Sequence, residues 1–278
     1  MHVPIAGVRH ALALLLASAL ALAGSVAVAA EGKIEVLWLG QSAFRITTQA
    51  GKVIVIDPYL INNPKTPQQW KNLDALGKVD LILVTHAHGD HFADAPALAQ
   101  KNKAPMYGPA GLNQTLQTLG VMAPELSPRM GKGGTITPFP GVKVTAVHAE
   151  HSSELLWKNP ATNKDETHVG GEPVGYVLEL ENGFKIYHMG DTGVFGDMRY
   201  IGEKFKPDLL LIPIGGHFVM PPEDAAFVTR EWLKPKFAVP MHYATNPLLK
   251  GTPEEYIKAL GSTPTKVHAL NPGDKLEF

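Results

Sequence analysis

The stretch Thr85-His86-Ala87-His88-Gly89-Asp90-His91 directly follows the run Val79-Asp80-Leu81-Ile82-Leu83-Val84. A short continuous aliphatic run reads as a strand buried on both faces. Such a strand belongs to the interior of a layered α/β domain, so a polar cluster at its end has to emerge at an edge of the sheet. Alternate residues of an extended segment face the same side, so His86 and His88 can grip one ion. Gly89 permits a reversal, after which Asp90 and His91 can reach a second ion close by. Imidazole and carboxylate are ligand types suited to Zn²⁺ and similar divalent cations.

Four more positions repeat the theme of an apolar strand followed by a ligand type. His148 follows Val142–Val147, Asp191 follows Ile186–Gly190, His217 follows Leu211–Gly216, and His242 follows Phe237–Met241. Further strands are predicted at 34–39, 43–48, 52–57, 174–180, 184–188, 209–214 and 266–269. Helices are predicted over 95–100, with Asp94 as N-cap, and over 112–119, 222–233 and 253–260. The polar, Gly-containing segment 152–172 reads as a long surface loop. Strands interleaved with helices, without a repeat of 20–50 residues, indicate α/β layers rather than a solenoid or propeller.

The chain of 278 residues contains no cysteine, so any metal must be held by His, Asp or Glu, and thiol nucleophiles are excluded. Twenty-five basic against 26 acidic residues give a net charge of −1, which argues against a nucleic-acid partner. Residues 1–30 carry a single charge, Arg9, then an unbroken stretch of Ala, Leu, Val, Ser and Gly from Ala11 to Ala30. With Ala27-Val28-Ala29 in an A-x-A arrangement, this reads as a signal peptide cleaved after Ala29 or Ala30; a retained anchor is the competing expectation. Removal leaves 25 − 1 = 24 basic residues against 26 acidic ones. Residues 31–278 are then expected to form one domain, periplasmic or secreted, with no membrane partner after cleavage.

The motif Thr85-His-x-His-x-Asp-His91, with His148, Gly190-Asp191-Thr192 and His242, resembles the metallo-β-lactamase superfamily. The resemblance runs from about Ile34 to the C-terminus. It is closest to the metal-dependent hydrolase branch that is similar to ascorbate-phosphate lactonase, through Trp38-Leu39-Gly40, Ile56-Asp57-Pro58 and Pro221-Pro222-Glu223-Asp224-Ala225. It implies a four-layer αβ/βα sandwich with the metal site at the strand-end edge. It also implies two divalent ions, zinc first and manganese or iron as substitutes. His86, His88 and His148 would hold the first ion, Asp90, His91 and His242 the second, and Asp191 would bridge them. Gln41 stands where the branch carries His, and Gly216-His217 follows Pro-Ile-Gly, so the pocket departs from the branch.

The expected chemistry is cleavage of a small ester, lactone or phosphoester by metal-activated hydroxide, with Asp90 orienting the attacking group. His217 is expected either as general acid or as pocket lining. β-Lactam or thioester hydrolysis, and a non-catalytic periplasmic metal-binding role, are the alternatives. A di-iron redox centre is disfavoured because His88 is not an acid. Asp57 reads either as a turn residue accepting backbone N–H groups or, the favoured expectation, as a carboxylate that supports a ligand from behind. His151 reads equally as a loop hydrogen-bonding residue or a catalytic one. His188 reads as a satisfied strand residue or as support for a ligand.

Overall fold

A computed structural model describes residue 2 and residues 32–278. The export segment expected at 1–30 therefore lies, save for His2, outside the described residues. The domain starts with strands β1 (Glu35–Gly40), β2 (Ala43–Thr47), β3 (Val53–Ile56), β4 (Leu81–Leu83), β5 (Met106–Pro109) and β6 (Arg129–Met130). Then come β7 (Thr135–Phe139), β8 (Val142–His148) and a hairpin of β9 (Glu154–Lys158) and β10 (Asp165–Val169). After these follow β11 (Val174–Glu179), β12 (Lys185–His188), β13 (Leu209–Pro213), β14 (Phe237–Met241), β15 (Lys266–Val267) and β16 (Lys275–Glu277). The helices are α1 (Gly89–Phe92), α2 (Ala95–Asn102), α3 (Ala110–Thr118), α4 (Met198–Phe205), α5 (Pro222–Val228) and α6 (Pro253–Leu260).

Two seven-stranded sheets result, ordered β16-β1-β2-β3-β4-β5-β6 and β15-β14-β13-β12-β11-β8-β7. Strand periodicity sorts their side chains. Ile54 and Ile56 point into the core between the sheets, together with Val144, Tyr176, Leu209 and Leu211. Val53 and Val55 point the other way and pack with Leu98 of α2 and Leu112 and Leu116 of α3. On the far side, Tyr187, Leu210 and Ile212 meet Ile201 of α4, Ala225 of α5 and Tyr256 of α6. Helices, sheet, sheet and helices form the expected four-layer αβ/βα sandwich, with parallel strands β3–β6 and β12–β15 in the two halves.

The sheets are joined along one edge. Val174 N donates to Thr85 O (3.0 Å) and His242 N to Gln41 O (3.2 Å). Tyr176 Oη donates to Val84 O (2.9 Å), and His188 Nε2 lies 2.8 Å from Ser42 O. Only Nε2–H can donate to that carbonyl, which fixes the tautomer, and His188 Nδ1 accepts from Gly190 N (3.2 Å). His188 is thus a buried cross-sheet strut.

Segment 152–172 is a hairpin, not the expected loop. Its polar composition misleads because only one face is covered. Leu155 is buried and packs with partly buried Trp157 on the α2–α3 side of the first sheet, whereas Leu156, one residue on, is 76% exposed. Asp94 stands at the N-cap position of α2 as expected, but its side chain does not cap the helix: its Oδ2 accepts from Leu60 N (2.7 Å) and Ile61 N (3.0 Å). The helix predicted over 222–233 changes at Thr229 into a wider π-helical turn.

Gly190 sits at the joined edge with φ +62°, and a Cβ there would lie 2.9 Å from Thr85 Cβ. Gly190→Ala combines a left-handed backbone with an overpacked contact between the sheets, and is expected to cost about 2–4 kcal/mol. A thermal melt should fall by roughly 5–15 °C; an unchanged melt would contradict the close approach.

Candidate metal centre

The same edge gathers the polar residues. His86, His151 and Asp191 each lie three residues beyond the last residue of β4, β8 and β12, and His242 lies one beyond β14. His88 is extended, at φ −65° and ψ 146°, and Gly89 then opens the single helical turn α1, which carries Asp90 and His91. The reversal at Gly89 is therefore made by a right-handed turn; Gly89 is not among the positive-φ glycines.

Two sets of candidate ligand atoms result: His86, His88 and His151 in one, and Asp90, His91, Asp191 and His242 in the other, each set lying within 4.8 Å. Asp191 stands between them. Its Oδ2 is 2.9 Å from His242 Nε2, 3.7 Å from His151 Nε2 and 4.0 Å from His86 Nε2, and its Oδ1 is 3.2 Å from His91 Nε2. Asp90 Oδ2 lies 3.4 Å from His242 Nε2 and 3.7 Å from His91 Nε2.

The donor set fits metal ions. His91 Nε2, His242 Nε2 and Asp191 Oδ1 are buried and make no hydrogen bond despite these short separations. Crowded polar atoms without hydrogen-bond geometry are costly to bury unless they share a cation. Burial holds His86 and His151 below the ordinary imidazole value, so both offer lone pairs. Burial opposes charge on His91, yet Asp191, Asp90 and Asp57 hold it well above that value. His242 is likewise pushed up to about 9, with Asp191 outweighing burial. Burial would raise Asp191, but His242 and His91 keep it well below the usual carboxylate range. A cation among these four residues neutralises the carboxylates in place of those imidazole protons.

Asp57 supports the cluster from behind. Its Oδ2 is 2.7 Å from His91 Nδ1 and accepts from Thr85 Oγ1 (2.7 Å), while Oδ1 accepts from Thr85 N (2.7 Å). Such a carboxylate fixes the imidazole so that Nε2 faces the metal position. Gln41 Nε2 donates to Asp90 Oδ2 (2.8 Å). Gln41, Asp57 and His242 all adopt left-handed φ, at 51°, 48° and 56°. Strain of this kind persists where surroundings over-determine a site.

Six of the seven expected ligands therefore meet here, and His148 does not. It is still a strand residue, opposite Val174, with Nδ1 3.1 Å from Lys132 Nζ and Nε2 3.4 Å from Glu150 Oε2. The chain runs three residues further before it reaches His86 and His88, so His151 takes the third place. Thr192 Oγ1 accepts from Glu150 N (3.0 Å), and Ser153 Oγ accepts from Ala87 N (3.1 Å), fixing the loop on both sides of His151.

His217 is also misplaced by the sequence reading. Gly216 and His217 both take positive φ, the His217 imidazole is exposed, and its ring meets Phe218 edge-on at 4.4 Å. Of that turn it is Phe218 that lines the cavity over the metal positions. The cavity has a volume of about 580 Å³, and His88, Asp90, His151, Asp191 and His242 face into it. Trp70 and Trp157, which as loop aromatics could have lined a groove with Phe218, pack instead against the α2–α3 side.

Residues 52–243 match the family model of a beta-lactamase superfamily domain. A UPF0173 metal-dependent hydrolase of a Polaromonas species is 66% identical over 249 residues, spanning 90% of this chain and 91% of that one. Its counterpart in Rubrobacter xylanophilus is 44% identical over 248 residues, spanning 88% and 97%. Among solved structures, Igni18, a metallo hydrolase from the hyperthermophilic archaeon Ignicoccus hospitalis, superposes with a TM-score of 0.73 at 30% identity, over 88% of this chain and 98% of that one.

Two substitutions separate the two histidines. His151→Ala should lose one tightly bound ion in a chelator-competition titration, whereas His148→Ala should bind like the parent. Asp57→Asn, which leaves His91 unsupported, should weaken cation binding by about ten- to a hundredfold. Equal effects of the two histidine substitutions would return His148 to the site.

Proposed function

Because the chain belongs to the beta-lactamase superfamily, as one of its UPF0173 metal-dependent hydrolases, we propose that this edge holds two divalent ions and that it cleaves a small ester, lactone or phosphoester with water. The observation that carries the reading is the pair of abutting donor sets, with Asp191 between them, at the floor of an open cavity. His86, His88 and His151 would hold the first ion, in an all-imidazole set that leaves a coordination position for water and suits zinc. Asp90, His91 and His242 would hold the second, a mixed set that manganese or iron also accepts, and Asp191 would bridge.

Ions bound here would supply hydroxide near neutral pH and would polarise the oxygen of the scissile group. The residues supply the rest. Asp191, buried and ionised, keeps the two sets at a fixed separation. Asp90 is the more exposed of the two carboxylates, and Gln41 holds its Oδ2, 3.4 Å from His242 Nε2. It is placed to orient the attacking group, accept its proton and return that proton to the departing oxygen. In the balanced step, water oxygen bonds to the acyl carbon or phosphorus, the bond to the leaving oxygen breaks, and the proton ends on that oxygen. With His217 turned outward, proton transfer rests on Asp90.

Zinc-loaded protein is expected to hydrolyse members of an ester, lactone and phosphodiester panel, and chelation should abolish that turnover. Asp90→Asn should retain at least the all-imidazole ion and lose about a hundredfold or more in kcat. Turnover unaffected by chelation would sink the assignment.

A further inference from the structure

Beyond its metal-facing floor, the cavity is walled with carbon. Tyr59, Pro64, Phe218, Pro247 and Leu249 line it. Gln41, Ser152, Thr245 and Asn246 complete the lining with neutral polar groups, and among the described residues no Lys or Arg does so. Resting on the hydrolase reading above, we propose that the substrate is an uncharged carboxylic ester or lactone whose apolar substituent packs on the Phe218–Leu249 wall, and that phosphoesters are poor substrates.

That wall is built, not incidental. It occupies two short segments that leave the sheet beside the metal positions. One runs on from His242: Ala244 N donates to Leu249 O (3.1 Å) and Leu249 N to Asn246 O (2.9 Å), closing a tight loop with Leu249 buried beneath it. The other is the turn after β13, where Gly216 N donates to Met220 O (3.1 Å) and Val219 N to Gly216 O (3.3 Å). Gly251 N donates to Gly215 O (3.1 Å) and ties the two together. At Gly251 a Cβ would lie 1.9 Å from Ile214 O, so the approach of the segments is fixed. A preformed apolar surface loses little freedom when a substituent lands on it.

Phe218, at 48% exposure, and Leu249 border the same cavity as Asp191 and His242. A carbonyl held over the metal positions therefore extends its substituent onto carbon. A phosphate group brings additional negative charge, and beyond the metal positions the lining offers it only carbon and the neutral Ser152, Thr245 and Asn246, with no cationic donor. Charge placed there without a counter-charge is unfavourable.

The test uses the zinc-loaded full chain. One series is of neutral aryl esters from acetate to hexanoate, alongside aryl phosphate mono- and diesters with the same leaving group. The expected result is a rise in kcat/KM of about two- to fourfold per added methylene over the first carbons. Phosphoesters should fall at least about a hundredfold below the best carboxylic ester. Phe218→Ala should flatten the chain-length slope and Phe218→Leu should restore most of it. In a direct binding titration, hexanoate should bind the parent more tightly than acetate does and lose that preference in Phe218→Ala. A flat series with acetate ester still hydrolysed, or phosphoesters turned over as fast, overturns this inference and leaves the hydrolase reading intact. Failure to hydrolyse any carboxylic ester or phosphoester overturns both.

Discussion

The joined edge of the two sheets is the constraint on which everything else depends. Backbone bonds from Val174 to Thr85 and from His242 to Gln41 hold residues of different halves within hydrogen-bond distance. That alone brings Asp191, from the second sheet, against His86 and His91, from the first. Asp191, His86, His91 and His242 are nearly shut off from water, so none is tolerable singly; together they form a balanced set once cations are present. The inter-sheet core of Ile54, Ile56, Val144, Tyr176 and Leu211 fixes the distance across which this balance is struck.

Much of this was legible because the chemistry lies in strand ends. A buried aliphatic run followed by a polar cluster is visible at 79–91 without any structure, and so are the runs before Asp191 and His242. What misled was the assumption that the first imidazole after a strand is the one that leaves it. His148 is still paired with Val174. The offset of three residues shared by His86, His151 and Asp191 singles out His151, but it emerges only from the observed ends of β4 at Leu83 and β8 at His148. His217 failed for a different reason: left-handed backbone at Gly216 and His217 reverses the side-chain direction, and no residue pattern announces it. The hairpin over 154–169 was obscured because one covered face needs few apolar residues. Strands β5, β6, β7 and β16, of two to five residues, are too short to show a clear period, and helix α4 was also not anticipated.

The centre and the wall above it obey different rules. Ligand positions are over-determined: Asp57 alone engages His91 Nδ1, the Thr85 amide and the Thr85 hydroxyl. Left-handed geometry at Gln41, Asp57 and His242 adds strain that only such a dense network supports. The wall depends instead on a few backbone bonds in two short segments. A superfamily of this kind can keep its metal chemistry and change what it acts on by altering residues such as the half-exposed Phe218.

Strand β16 pairs with β1, matching Val36 to Leu276, while Ile34 and Phe278 exchange backbone bonds. A ribosome therefore makes one border of the first sheet some 240 residues before its partner, as |i−j| for the Lys275–Glu35 contact shows. Until then β1 presents an open row of amides and carbonyls to whatever passes. Folding of this half cannot be finished vectorially, and its slowest event should be the late capture of the terminal strand. Removing the last four residues would leave that border of β1 open and take Phe278 off the rings of Phe184 and Phe237, far from any cation.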